Sequence, residues 1–398
     1  MSAMPISLAD VLDLELAWKR TLIDLNDHAF VKIPNEISVI EVDLASWLGM
    51  LKDKIRHDSY HPQAANVCEI PKPKGAIRPA AYIVPEDRVV YAACVGACYP
   101  NIYEAVNWTD TLTDFSTPLS GNLVSPDWIR NQFHLWKDFA DKSLREIDAG
   151  ASHVVIADIA GYYENIDIAR LMSVLRQIGA PELPIRQLSA CLNRWAQVAG
   201  RGIPQGYGSS DLLAKLYLTS VDYHLREAGF THYRYVDDIR IFCRNKAEAR
   251  KALVELITLL RERGLNIQSA KTDIYSAEEA RIEIEGVQPI IDRTVKKFIN
   301  EVKDTSPFNN PYITIFDAEE ILSSSANDTP IEVIEDTFQT YIISAGSKNF
   351  DKTLFRFLLK RLGKQRNGYA IDYCKNALET HPEETQTILA YFKTIKAV

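Results

Sequence analysis

The chain has 398 residues, 46% of them hydrophobic, which is enough to fill the cores of two or three domains, and its formal charge of -8 argues against indiscriminate coating of nucleic acid. No run of eighteen apolar residues occurs, and Met1-Ser2-Ala3-Met4-Pro5 lacks the basic start and apolar stretch of a secretory leader, so we expect no membrane span and a cytoplasmic location. Cys68, Cys94, Cys98, Cys191, Cys243 and Cys374 form no Cys-x-x-Cys pair and have no His at zinc-ligand spacing, so they read as reduced packing residues. Positive charge must therefore act locally. Basic residues gather at Lys72, Lys74, Arg78 and Arg88, and again at Lys360, Arg361, Lys364 and Arg366.

In chain order, Leu8, Val11, Leu12, Leu16 and Leu22 recur near the helical period and predict an opening helix. Between Cys68 and about Val90, Pro71, Pro73, Pro79 and Pro85 limit helix and favour extended segments and turns. His153 to Ile159 is a short apolar run suited to a buried strand, followed by a helix from Ile168 to Gly179. Leu212, Leu213, Leu216, Val221 and Leu225 predict a long amphipathic helix over Ser209 to Ala228. Tyr233 to Tyr235 and Ile239 to Cys243 are β-prone runs joined by a tight turn, a hairpin by spacing and composition. A helix over Lys246 to Arg263 and strand candidates at Leu265 to Ile274 and Arg281 to Val287 complete this region. Beyond Pro289 the pattern turns helical, near Ile331 to Ala345, Phe350 to Leu362, Tyr369 to Glu379 and Glu383 to Lys396. That array is loosely like HEAT-type repeats, without a fixed period.

The chemistry concentrates in a few places. Tyr235-Val236-Asp237-Asp238 sets two adjacent carboxylates in a turn, where mutual repulsion is relieved by a divalent cation; a solvated turn is the bland alternative. Asp158 ends the run Val154-Val155-Ile156-Ala157, where an acid is costly unless it faces a site. It is a poor helix cap, because Asp167 stands better placed to cap Ile168 onward. Three carboxylates at neighbouring strand ends suit two Mg2+ ions, which activate a 3′-hydroxyl and stabilise a transferring phosphoryl group. Tyr163, five residues past Asp158, either packs in the core or excludes a 2′-hydroxyl; Tyr162 reads as core. Gly202-Ile203-Pro204-Gln205-Gly206 supplies glycines for close approach and an amide for a sugar or base, or is simply a turn. Lys72 and Arg78 sit in a basic turn suited to a triphosphate, and Lys271 is a candidate for the departing pyrophosphate.

This ordered set over roughly residues 65 to 290 resembles the fingers and palm motifs of reverse transcriptases. The resemblance implies an α+β fold: an antiparallel sheet with packed helices in residues 65–295, after an N-terminal helical extension in 1–64 and before an all-α helical-repeat-like domain in 296–398. It implies Asp158, Asp237 and Asp238, with Ile159 beside them, as the metal set for two Mg2+ ions, or Mn2+ in their place. It implies Tyr163 as the sugar-selecting residue, Gln205 as a nucleotide contact, and Lys72 and Arg78 as triphosphate contacts. The wording from Ala157 to Asp167, together with Pro85-Glu86-Asp87-Arg88-Val89-Val90-Tyr91, looks like the bacterial abortive-infection and defence-associated group, implicated in antiphage immunity. No RNase H, integrase or endonuclease motif is present, and no Val-Thr-Gly signature of the retron kind. The expected activity is RNA-directed DNA polymerisation of dNTPs on an RNA template or a noncoding RNA, giving a DNA product, with a homo-oligomer compatible. Template-independent or protein-primed DNA synthesis by the same site stays open, as does a non-catalytic RNA-binding scaffold.

Overall fold

The computed structural model describes residues 7–27, 34–72, 76–110, 112–129, 135–286, 331–344 and 350–396. It divides into two compact units, Met1–Glu69 with Pro79–Ile284, and Ile70–Arg78 with Glu285–Val398. Among the described residues no helix is long and apolar enough to cross a membrane.

The first unit opens with α1 (Leu8–Val11) and α2 (Leu14–Asp27) where the sequence predicted one helix. Leu12 is extended, and the Asp13 carboxylate accepts the Leu16 amide at 2.9 Å, which caps a new helix and ends the old one. After α3 (Pro34–Glu41) and α4 (Leu44–Arg56), β1 (Asn66–Pro71) and β2 (Ile77–Tyr82) pair into a two-stranded sheet whose stretch Ile70–Arg78 counts with the second unit. The expected extended stretch ends early. Pro85 occupies the first turn of α5 (Pro85–Val106), where a missing amide hydrogen costs nothing, so it starts a helix instead of limiting one.

There follow α6 (Leu135–Asp148), β3 (His153–Asp158), α7 (Tyr162–Asn165), α8 (Ile168–Gln177), α9 (Glu182–Trp195), α10 (Gly208–Glu227), β4 (Thr231–Tyr235), β5 (Asp238–Cys243), α11 (Lys246–Glu262), β6 (Asp273–Ser276) and α12 (Ala277–Glu285). Asp167 caps α8 as expected, accepting the Arg170 amide at 2.8 Å. The strand expected over Arg281 to Val287 is helix α12 as far as it is described; Val287 lies outside the described residues. Ser276 and Glu279 exchange backbone-to-side-chain hydrogen bonds at 2.8 and 3.4 Å, a capping box that commits the segment to helix, and Ala280 and Ile284 then bury one face. Of Leu265 to Ile274, only the end belongs to β6, after a single bridge at Ile267 and a 3-10 turn over Ser269–Lys271.

The four-stranded sheet runs β4-β5-β3-β6, antiparallel throughout. Side chains alternate between its faces. Val155 and Ala157 join the main core with Ile239 and Ile241, while Val154 packs with Phe139, Tyr233, Phe242 and Ala280 on the other side. Helix α10 was expected to be amphipathic, yet it is buried from Leu212 through Leu218 on every side, Lys215 included.

In the second unit the described helices are α13 (Ile331–Phe338), which runs into a wider π turn at Gln339–Ile343, α14 (Lys352–Lys364), α15 (Ile371–Thr380) and α16 (Thr385–Ile395). Their core is Phe338, Phe355, Leu358, Leu359, Leu362, Ile388 and Tyr391. Asp351 caps α14 by accepting the Leu354 amide at 2.9 Å. Residues 287–330, including the start expected for the helical domain, lie outside the described residues.

Candidate active site

Strand pairing brings the carboxylates together. Asp158 and Asp238 are direct partners in the β3–β5 register, and Asp237 adjoins in the turn before β5. The Ile159 amide donates to the Asp237 carbonyl at 3.3 Å, and the Gln268 amide to the Asp158 carbonyl at 2.7 Å, so the end of β3 is tied on both sides. Val236, which leads into the pair, has φ +56, a left-handed conformation that a β-branched residue rarely adopts.

The electrostatics follow from that crowding. Burial first, then the charges of Asp237 and Asp158, push the Asp238 carboxyl up to about 6, while Lys271 and Arg240 pull the other way. Lys271 Nζ lies 2.8 Å from Asp158 Oδ2, which raises the lysine pKa. Among the described residues, no three His, Cys, Asp or Glu side chains stand grouped as a ready-made metal cage. The donor set nevertheless fits a hard divalent cation by its chemistry: it is carboxylate oxygen, partly buried, and its mutual repulsion raises Asp238 even with an ammonium on Asp158. Ile159 has a buried hydrocarbon side chain, so only its backbone carbonyl can join such a set.

Tyr163 is buried at the start of α7, edge-on to Tyr162, and its hydroxyl donates to Asp211 Oδ1 at 2.6 Å in the first turn of α10. Burial, then the Asp211 charge, push its pKa far above the ordinary value, so it stays a donor. Gly202 and Gly206 both have positive φ, +94 and +89, and a Cβ on Gly202 would meet the Glu164 carbonyl at 3.1 Å; here glycine is required. Half-buried Gln205 lines a cavity of about 110 Å³ with Glu164 and Arg201.

Some expected residues stand elsewhere. Arg88 is not part of a basic surface: it is buried, donates to the Ile83 carbonyl at 2.7 Å and lies over the rings of Tyr82 and Tyr207. Lys72 and Arg78 belong to the second unit, and Lys74 lies outside the described residues. A larger cavity of about 740 Å³, between α8 and the C-terminal half of α10, contains none of the predicted site residues.

Sequence reasoning missed Asp211 and a buried charge network under β4. Lys215 Nζ lies 3.0 Å from Asp110 and 2.9 Å from Asp114; Arg234 Nη2 lies 3.0 Å from Asp114 and 2.7 Å from Asp222; His232 Nε2 lies 3.3 Å from Asp222. The only available signal was Arg234 beside the Tyr-Val-Asp-Asp turn, a cation in an otherwise β-prone strand.

A sequence model of the family described as Reverse transcriptase (RNA-dependent DNA polymerase) matches residues 70–309. Comparison with curated proteins returns no match. Among solved structures the chain is similar to apo telomerase from Candida tropicalis truncated from its C-terminal domain, at 15% identity and TM-score 0.39, covering 54% of this chain and 50% of that one. It is similar to telomerase from Candida albicans in complex with a TWJ fragment of telomeric RNA, at 11% identity and TM-score 0.40, covering 88% and 68%. A partial Cas6-RT-Cas1–Cas2 complex matches at 17% identity and TM-score 0.37, covering 65% and 42%. The chain thus spans about half the length of the first of these structures.

Proposed function

Because this chain belongs to the reverse transcriptase (RNA-dependent DNA polymerase) family, we propose that it is an RNA-directed DNA polymerase that builds DNA from dNTPs at Asp158, Asp237 and Asp238. The observation that carries this reading is the cross-strand pairing of Asp158 with Asp238, with Asp237 adjoining in the turn. In this reading the three carboxylates and the Ile159 carbonyl hold two Mg2+ ions. When bound, these lower the pKa of a 3′-hydroxyl and stabilise charge on the transferring phosphoryl group and its leaving pyrophosphate.

The chain's own residues do the remaining work. Lys271, a largely exposed side chain, neutralises Asp158 and passes to the pyrophosphate as the site fills. Tyr163, its ring fixed by the hydrogen bond to Asp211, excludes a 2′-hydroxyl in this reading. Gln205 contacts the nucleotide. The motif wording supports membership of the bacterial defence-associated group, acting with a noncoding RNA or a self-priming arrangement, and the change from mixed to helical segments along the sequence supports a division into 1–64, 65–295 and 296–398.

Replacing both turn carboxylates tests the reading. Asp237→Asn with Asp238→Asn removes metal ligation and relieves repulsion, so the variant folds as well as wild type by circular dichroism while dNTP incorporation falls by at least about a thousandfold. Retained incorporation by that folded variant would sink the assignment.

A further inference from the structure

Val236 at φ +56 places a β-branched residue in a conformation that costs energy, and such a turn persists only where its surroundings hold it. The surroundings here are specific. Arg234 Nη1 donates to the Val236 carbonyl at 3.1 Å. The same guanidinium is itself fixed: Nε and Nη2 donate to the two oxygens of Asp222 at 3.1 and 2.7 Å, and Nη2 also donates to Asp114 at 3.0 Å. Asp114 is locked in turn by Lys215 and by the Ser116 amide and hydroxyl, and the backbone of residues 113–115 pairs with Arg234 on both sides. Arg234, Asp114 and Asp222 are each at most 2% exposed. Only a guanidinium reaches all of these acceptors, because its fork presents donors in three directions while an ammonium acts from one point.

We propose that Arg234 is a positioning residue for the site, a rigid arm from Asp114 and Asp222 to the Val236 carbonyl that keeps the turn left-handed and so presents Asp237 and Asp238 to Asp158. Its importance for turnover rests on the polymerase reading; its hold on the turn does not. A buried ion cluster that served stability alone would have no reason to spend one donor on the carbonyl of the strained residue.

Arg234→Lys keeps the charge and removes the fork. The expected result is a folded chain in which amide exchange of the peptide covering residues 231–243 quickens about tenfold or more, while peptides from β3 and α10 keep wild-type rates. Mn2+ affinity, read by electron paramagnetic resonance without nucleotide, weakens about tenfold, and incorporation at saturating dNTP falls about a hundredfold with little change in KM. Adding Val236→Gly, which adopts positive φ without penalty, restores about tenfold of that incorporation. Wild-type exchange at the turn, or exchange that quickens across the whole palm alike, overturns the proposal. If Arg234→Lys does not fold, Asp222→Asn, which keeps an acceptor carbonyl on the guanidinium, takes its place with the same readouts. If the wild-type chain binds no Mn2+ and incorporates nothing, the polymerase reading fails, and turn-local exchange alone decides whether Arg234 holds the turn.

Discussion

The sheet region of the first unit and the helices of the second bury apolar residues in the same way but treat charge differently. Under β4, two cations and three carboxylates, Lys215 and Arg234 with Asp110, Asp114 and Asp222, are all nearly inaccessible. In the second unit, among the described residues, the comparable feature is one carboxylate, Glu384, gripped by both ends of an Arg356 guanidinium that stays half exposed. Desolvating charge is expensive and hydrophobic burial supplies stability more cheaply, so a cluster of that size marks a place where geometry matters more than stability. Among the described residues of the helical unit no cluster of that size occurs.

The sharpest way to break this contrast is to remove one carboxylate from each region. Asp114→Ala removes the carboxylate that Lys215 and Arg234 share, leaving Lys215 on Asp110 and Arg234 on Asp222 with one buried donor each unsatisfied, and is expected to cost about 3 kcal/mol, whereas Glu384→Ala leaves an arginine that water can reach and costs about 1 kcal/mol. Chemical denaturation followed by circular dichroism measures both. Equal losses would mean that the two regions spend their buried charge alike.

Within the first unit, Tyr163→Val tests whether a buried polar contact serves selectivity. With the ring and its hydrogen bond to Asp211 gone, ribonucleotide incorporation relative to deoxyribonucleotide should rise about tenfold or more. An unchanged ratio in an active variant returns Tyr163 to core packing.

Asp24 offers a pH test. Burial, helped by the charges of Asp211 and Asp127, raises its carboxyl from 3.8 to about 8 against the Gly208 amide and the charge of Arg88. Between about pH 4 and pH 8 the folded state holds a proton that the unfolded state has released, so this group's contribution falls as pH rises through that window. Asp24→Asn should therefore match wild type near pH 4 and exceed it by several degrees in Tm near pH 8, on the order expected for relieving a buried charge. A Tm difference that does not grow with pH would refute it.

The smallest expected effect belongs to the second unit. Lys360, Lys364 and Arg366 are exposed on or just beyond α14, and burial followed by the charges of Arg361 and Lys360 lowers the Lys364 pKa, so this face is cationic. Replacing Lys360, Arg361, Lys364 and Arg366 with Gln should weaken RNA binding severalfold and reduce its salt dependence by up to about four charges' worth, leaving incorporation on a short template intact. Wild-type affinity and salt slope would make the face a scaffold surface only.

Much of this was legible in the chain. The apolar run ending at Asp158, the two β-prone runs around Val236-Asp237-Asp238, and the glycines of Gly202 to Gly206 each specify local structure through period, spacing or backbone freedom. Those elements stand where the pattern put them. The errors came where local chemistry overrode the pattern: Pro85 starts a helix because it falls at the first turn, and Ser276 with Glu279 caps a helix that runs into the expected strand at Arg281. Sequence by itself determined the strand that ends at Asp158, the hairpin around Val236-Asp237-Asp238 and which residues carry carboxylates, because side-chain period and turn chemistry act over a few neighbours. Only tertiary structure decided that Asp158 faces Asp238, that Lys271 sits on Asp158, that Asp211 holds Tyr163 and that Arg234 reaches Asp114 across 120 positions of chain. Those contacts depend on strand register and on burial that makes an unpaired charge intolerable, and neither leaves a mark on the residues nearby in sequence.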